Sequence, residues 1–485
     1  MKTKKAATYT AFFLFFWATI FFNGCQGRDH HAISEKPYLP SPIPKGKIIQ
    51  KKGTKRVSGV KPKLIVMPLR PAQGQTYNGI GLGVHFLLGN MVAHHNGLKE
   101  FWFGWRVKRI FHKKNNFLDY CQGEDSLIDI SSLGRDQGIR YWLWGWFKQQ
   151  GPNVKINLAL TDTEGRHGQK NAEFIIKTPG KITDFQEDFF SWLEDCGIEN
   201  LDGKITKSLW QEDTNMPGLD FLGRALEAYY IYSSWGHEKE LDMKMFNKAV
   251  SGAPRSYLAN DLRAWALYRK KDYQAAKMGF KSALKLNKNG LGALSGLMWC
   301  AIKTNNEKSA IFLGAEKSKI RMENTSIGKA YAAIRMGNIA YKGNDYARAV
   351  GLYEKAVMWN PEKAAYLSKL ALAYSAAGEF IRALDLLDHG LKIFNAGRDR
   401  ESLLISKADV LYSLSMSLRE QGRYMEAINR LEKALDIDKI YRLKKAADDL
   451  KVMGSIFDQM GDHKRALENY RRSKEIEIKI NKSKR

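Results

Sequence analysis

An α/β domain followed by an all-α helical-repeat superhelix is the fold class that this 485-residue chain predicts. Three observations predict it. Between residues 63 and 200, short apolar runs alternate with helix-length stretches, the pattern of strands and helices that share one core. Past Pro217 the apolar period is helical almost to the C-terminus. Within that second stretch small residues recur: Ala276, Ala310, Ala349, Ala383, Ala427 and Ala466 are separated by 34, 39, 34, 44 and 39 residues. Self-similarity at such periods signals stacked helix pairs. The expected units are a signal at 1–24, a linker at 25–62, the α/β domain at 63–200 and the helical array at 219–480.

Lys2, Lys4 and Lys5 precede the uncharged apolar stretch from Ala6 to Phe22, the layout of an export signal. Phe22-Asn23-Gly24-Cys25 closes that stretch and resembles a bacterial lipobox, with Gly24 and Cys25 at the cleavage and lipid-bearing positions. The resemblance implies a lipidated Cys25 and a membrane anchor, each buried methylene contributing ~0.8 kcal/mol. An uncleaved anchor or a plain secretory signal exports the body equally. The expected location is the bacterial cell envelope, membrane-anchored and facing the periplasm, with the outer membrane ahead of the inner.

The net charge of +27 stays at +24 when those three lysines are removed. A basic surface attracts anionic partners without choosing among them, and export argues against nucleic acid. Eight basic residues and no acid lie from Lys45 to Lys63 (Lys45, Lys47, Lys51, Lys52, Lys55, Arg56, Lys61, Lys63). They read either as a solvated linker or as a contact with anionic lipid or cell-wall polymer.

The α/β domain opens on a buried-strand pattern, Leu64 to Leu69, stopped by Pro71. A helix follows over Gly81 to His95 and stops at Asn96-Gly97. Strands are expected at Glu100 to Trp105, Arg140 to Phe147, Ile156 to Asp162 and Ala172 to Lys177. Gly151-Pro152-Asn153 marks a hairpin. A last helix from Thr183 to Cys196 carries a capping-box pattern at Thr183 to Gln186 and stops at Gly197. The element order, with the phrases Leu133-Gly134-Arg135, Gly138-Ile139-Arg140-Tyr141 and Leu160-Thr161-Asp162, resembles the TolB amino-terminal-like domain. The resemblance covers residues 63 to 200 and implies an adaptor domain without a catalytic centre.

Several motifs in this domain carry competing readings. Gly79-x-Gly81-x-Gly83 lacks the G-x-G-x-x-G spacing of a dinucleotide turn and reads as a flexible lead-in to the helix. His94-His95 project about 100° apart, and they read as partners of the helix C-terminus rather than metal ligands. Trp142, Trp144 and Trp146 share one strand face. That face packs on the repeats, is buried within the domain, or forms a ligand or glycan platform. Cys121 and Cys196 lie in one domain, and an oxidising compartment permits a disulfide between them. Cys300 reads as a small buried hydrophobe.

In the array, Gly337, Ala349, Tyr353, Ala356 and Pro361 stand where tetratricopeptide repeats place small, small, aromatic, small and helix-stopping residues. Small residues on one helix admit bulky ones from its mate. The frame continues with Gly378, Gly422 and Gly461 at the helix-to-helix turns and weakens upstream, around Ala310 above all. The resemblance to the tetratricopeptide-repeat family covers 219–480 and implies six or seven helix pairs in a right-handed superhelix with a concave groove. On this frame the groove-facing residues are Tyr331, Arg335, Asn338, Tyr341, Lys369, Tyr412 and Arg419. The family's carboxylate clamp is not reproduced, since Ile334 and Asp409 stand where its lysines belong.

No nucleophile, base and orienting group fall together in a motif, so the chain reads as a non-enzymatic scaffold with no cofactor and no metal. It is expected to hold a protein partner in its array. The alternatives are a regulator of a peptidoglycan synthase and a component of a secretion or polysaccharide-export system.

Overall fold

The computed structural model describes residues 62–482 except 96, 101–102, 106, 124–137, 165–168, 199–211, 237–240 and 322. The export signal, Cys25, nearly all of the basic linker and Leu133-Gly134-Arg135 lie outside the described residues.

The mixed sheet is built from β1 (Lys63–Val66), β2 (Arg70–Pro71), β3 (Lys99–Glu100), β4 (Tyr141–Gln150), β5 (Asn153–Asp162) and β6 (Gln169–Ile176). Its order is β3-β1-β4-β5-β6, with β2 beside β4. β1 is parallel to β3 and β4, whereas β4, β5 and β6 form an antiparallel meander. Two short strands, β7 (Gly180–Lys181) and β8 (Asp213–Thr214), pair separately. The helices of this part are α1 (Ile80–Ala93), α2 (Val107–Phe111), α3 (Lys114–Gln122) and α4 (Ile182–Asp195). One sheet face is apolar and covered: Phe174 packs edge-on to Phe185, Phe189 and Trp192 of α4.

Three expectations change. The strand expected over Glu100 to Trp105 shrinks to Lys99–Glu100, followed by a 3-10 turn at Phe103–Trp105. Phe103 is drawn instead into an aromatic cluster with His85, Phe111, Phe117 and Tyr230. Helix α4 begins at Ile182 behind Lys181, without a side-chain cap. The bridge left open between Cys121 and Cys196 is not formed: both thiols are free and buried, on different helices. Cys121 ends α3 near Glu227, and Cys196 ends α4 near Lys170; burial pushes both thiols up.

Seven antiparallel helix pairs follow among the described residues. They are α5 (Met216–Trp235) with α6 (Met243–Gly252), α7 (Tyr257–Arg269) with α8 (Tyr273–Leu286), and α9 (Leu291–Lys303) with α10 (Glu307–Ile320). Next come α11 (Thr325–Lys342) with α12 (Tyr346–Trp359) and α13 (Ala364–Ala376) with α14 (Phe380–Ile393). The last are α15 (Gly397–Glu420) with α16 (Tyr424–Tyr441) and α17 (Leu443–Gln459) with α18 (His463–Lys482). Asn215, Asp242, Ser256, Asp272, Asn306, Asn324 and Asp345 cap helix N-termini with their side chains. The long intervals between alanines come from long helices: α15 has 24 residues and α16 has 18.

Six intra-pair turns use a left-handed residue, Lys271, Asn305, Asn344, Gly378, Gly422 and Gly461, with φ between 60° and 83°. The small frame residues do what close packing needs. A Cβ on Gly337 would meet the Tyr353 ring at 2.5 Å, and one on Gly454 the Tyr470 ring at 2.6 Å.

The glycine motif before α1 has a structural task that the flexible lead-in reading missed. Helices α1 and α5 cross with their backbones in contact: a Cβ on Gly223 would lie 1.6 Å from the Gly79 carbonyl, and one on Gly83 2.4 Å from the Leu219 carbonyl. The Gly79 amide donates to Asp220 Oδ1 at 2.7 Å. His85 and Tyr230 Oη share a buried hydrogen bond of 3.0 Å across the same joint, and burial holds the His85 imidazole neutral, with its pKa lowered to about 3. One apolar core therefore runs unbroken from Leu64 in the sheet to Cys300 in α9. A second covers Met298 to Val410, and a third Leu418 to Ala466.

Candidate functional site

Alternation of first and second helices along the array sets its two surfaces. First helices of successive pairs pack on one another, as α9 does with α11 and α13 with α15, so they form the inner layer. Side chains that point away from their own mates line it.

At its middle, three successive first helices bring basic and aromatic side chains together. Arg335 of α11 lies over the Trp299 ring of α9 at 5.6 Å and over the Tyr331 ring at 4.9 Å, an arrangement that stabilises a guanidinium while leaving its edge open to an anion. Lys369 of α13 is half-buried. Its ammonium is held below the usual lysine range, first by desolvation and then by the charges of Arg335 and Lys342. Tyr366 stands within reach of both Arg335 and Tyr331, and burial raises its phenol. Among the described residues, no carboxylate forms an ion pair with Arg335, Lys342 or Lys369. Arg442, further along the array, is by contrast paired with Asp438 at 2.7 Å and Asp409 at 2.8 Å.

The residues expected in the groove thus divide. Tyr331, Arg335 and Lys369 meet in one cluster. Asn338 is turned towards its own mate, accepting from Tyr353 Oη at 2.9 Å. Tyr341 packs edge-on to Tyr346 at 5.4 Å. Tyr412 and Arg419 lie further along on α15: Lys445 sits 3.9 Å above the Tyr412 ring. Arg419 donates to Gln459 Oε1 at 2.8 Å and Ser455 Oγ at 3.0 Å, tying α15 to α17.

Trp299, Lys342 and Tyr366 complete the cluster and were missed. The period held a signal for one of them. Arg335 and Lys369 are one repeat of 34 residues apart (335 to 369), and Tyr331 and Tyr366 are 35 apart (331 to 366). Trp299 belongs to the pair whose frame is weakest in sequence.

Elsewhere, His94 is buried with Nδ1 on the Asn90 carbonyl at 2.7 Å and Nε2 on the Asn289 carbonyl at 3.1 Å. It joins α1 to the turn before α9. His95 packs against Phe190.

A tetratricopeptide-repeat family model matches residues 406–477, so that region consists of tetratricopeptide repeats, a class that serves as a scaffold for protein–protein contacts. A small glutamine-rich tetratricopeptide repeat-containing protein of Mycosarcoma maydis is 31% identical over 113 residues, 23% of this chain and 29% of that protein. The match spans less than a third of that relative's length. Among solved structures, YrrB, described as a repeat protein of this kind with an unusual peptide-binding site, is 17% identical; 41% of this chain and 95% of that chain align, with a TM-score of 0.25. MamA from Desulfovibrio magneticus RS-1 is 16% identical over 39% of this chain and 96% of that one, with a TM-score of 0.27.

Proposed function

We propose that this chain is a lipid-anchored adaptor of the bacterial envelope. Cys25 tethers it, the α/β domain fixes the first helices of the array, and the groove at Trp299, Tyr331, Arg335, Tyr366 and Lys369 recruits a protein partner. The observation that carries the reading is the unpaired basic cluster. Like charges gathered in a half-buried, aromatic-lined inner surface are unfavourable alone, and an acidic segment of a partner relieves them. Aromatic and arginine side chains in desolvated positions also supply most of the energy at protein interfaces. The absence of a nucleophile and base motif leaves the cluster a recognition role rather than a catalytic one.

One experiment with three chains tests it: the wild type, Cys25→Ala, and Arg335→Glu with Lys369→Glu, each expressed in a bacterial host and captured from membranes. Wild type is expected to take up labelled palmitate and to bring down a discrete partner. Cys25→Ala should lose the label. The double variant should keep label and helicity but lose the partner by about ten-fold or more, the scale of a hot-spot loss. Equal labelling of Cys25→Ala rejects the anchor, and equal capture by the double variant rejects the groove.

A further inference from the structure

The three tryptophans of β4 have different fates. Trp142 is fully buried, Trp144 is half-buried with Nε1 donating to Thr161 Oγ1 at 3.0 Å, and Trp146 is 37% exposed. The two outer indoles lie 5.8 Å apart between centroids, tilted by 57°. Strand register places Ala159 and Asn157 of β5 beside them and Asn171 and Glu173 of β6 beyond. Trp146, Asn157, Ala159, Gln169, Asn171 and Glu173 line a depression of about 400 Å³ that is open on one side.

Its polar groups are held in place. Lys155 Nζ pairs with Glu173 Oε1 at 2.6 Å. With the Asn157 amide turned to suit its neighbours, its nitrogen donates to Glu173 Oε2 at 3.0 Å and its oxygen accepts from Trp146 Nε1 at 3.3 Å. Gln169 Nε2 donates to Asn171 Oδ1 at 2.9 Å.

This lining selects by charge and by bond type. Lys155 offsets the charge of Glu173, the ionised side chain among the lining residues. The groups left to bind are amides, which an apolar partner surface would strand without hydrogen bonds. The indole presents a π face with a negative quadrupole. That face attracts C–H bonds polarised by neighbouring oxygens, which a pyranose ring carries on one side while its hydroxyl and acetamido groups project from the edge towards amides. The volume falls at the small end of the roughly 300–1,000 Å³ of small-ligand sites, the size of one or two sugar rings. We infer that this sheet face is a binding site for a neutral saccharide bearing N-acetyl groups, with Trp146 as the stacking surface and Asn157 and Asn171 as hydrogen-bonding groups. The site is separate from the helical groove and stands or falls without it.

Isothermal titration of the full chain with chitotriose and, in parallel, with cellotriose tests the assignment. Chitotriose should bind and cellotriose should bind several-fold more weakly. Trp146→Ala should weaken chitotriose by about ten-fold, Trp146→Phe much less, and Asn171→Ala several-fold. Circular dichroism should be unchanged in all three, because these side chains lie on the open face. No heat with millimolar chitotriose, or unchanged binding by Trp146→Ala, overturns the site. Equal binding of cellotriose overturns recognition of the N-acetyl group.

Discussion

Asp449, on α17, has no exposed surface, and Asp438, the carboxylate that acts on it, is 1% exposed. Burial first, and then the charge of Asp438, raise the Asp449 carboxyl from its ordinary value to about 7. In the unfolded chain the same group titrates near ~3.9. A carboxyl raised in the folded state stabilises the fold fully below about pH 4, and that contribution is lost as pH climbs towards about 7. Above that, the ionised group is a standing cost. Asp449→Asn is therefore expected to be more stable than wild type at pH 8, near it at pH 4, and less pH-dependent between. Urea midpoints at those two values and at pH 6 check this; an unchanged slope would place the proton elsewhere. At this scale the sequence spoke unevenly. Arg335 and Lys369 were legible because the period aligns them. The pairing of Asn338 with Tyr353 was not, because which face of a helix turns to its mate depends on the crossing of two helices.

The joint between α1 and α5 depends on bare backbone. A methyl group added at Gly223 would lie 1.6 Å from the Gly79 carbonyl oxygen and 2.8 Å from the Gly83 nitrogen, so α1 and α5 must move apart, and overpacking of a rigid contact costs typically ~1–3 kcal/mol or more. Gly351, inside α12, has nothing within 4 Å of an added Cβ, and alanine there removes the helix cost of glycine, worth ~0.5–1 kcal/mol. Gly223→Ala should lower the urea midpoint of the full chain substantially while Gly351→Ala leaves it unchanged or raises it. The reverse order would show that the crossing yields more easily than its geometry implies. The sequence displayed Gly79, Gly81 and Gly83 but not their mate, since Gly223 lies about 140 residues away (83 to 223). Helices α2 and α3 were likewise hidden: the run Lys113-Lys114-Asn115-Asn116 reads as loop, and the order comes from Phe111, Phe117 and Tyr120 packing together and onto Tyr230 of α5. In the upstream repeats Lys271 and Asn305 fill turn positions that carry glycine in the last three pairs, which removed one marker of the frame there.

The whole molecule joins a sheet and a helical array through one continuous core, so the first repeats are held by the α/β domain while the later ones rest on their neighbours. That arrangement presents a braced inner surface whose middle gathers Trp299, Tyr331, Arg335, Tyr366 and Lys369, the proposed seat of a protein partner. Site-specific photo-crosslinking tests it most directly. A photoreactive residue at position 366, on the inner layer, is compared with one at Met278, 71% exposed on the second helix α8. One discrete protein adduct is expected from position 366, suppressed by Arg335→Glu, and none from position 278. An adduct formed only at position 278, or one at position 366 that Arg335→Glu leaves intact, would contradict it.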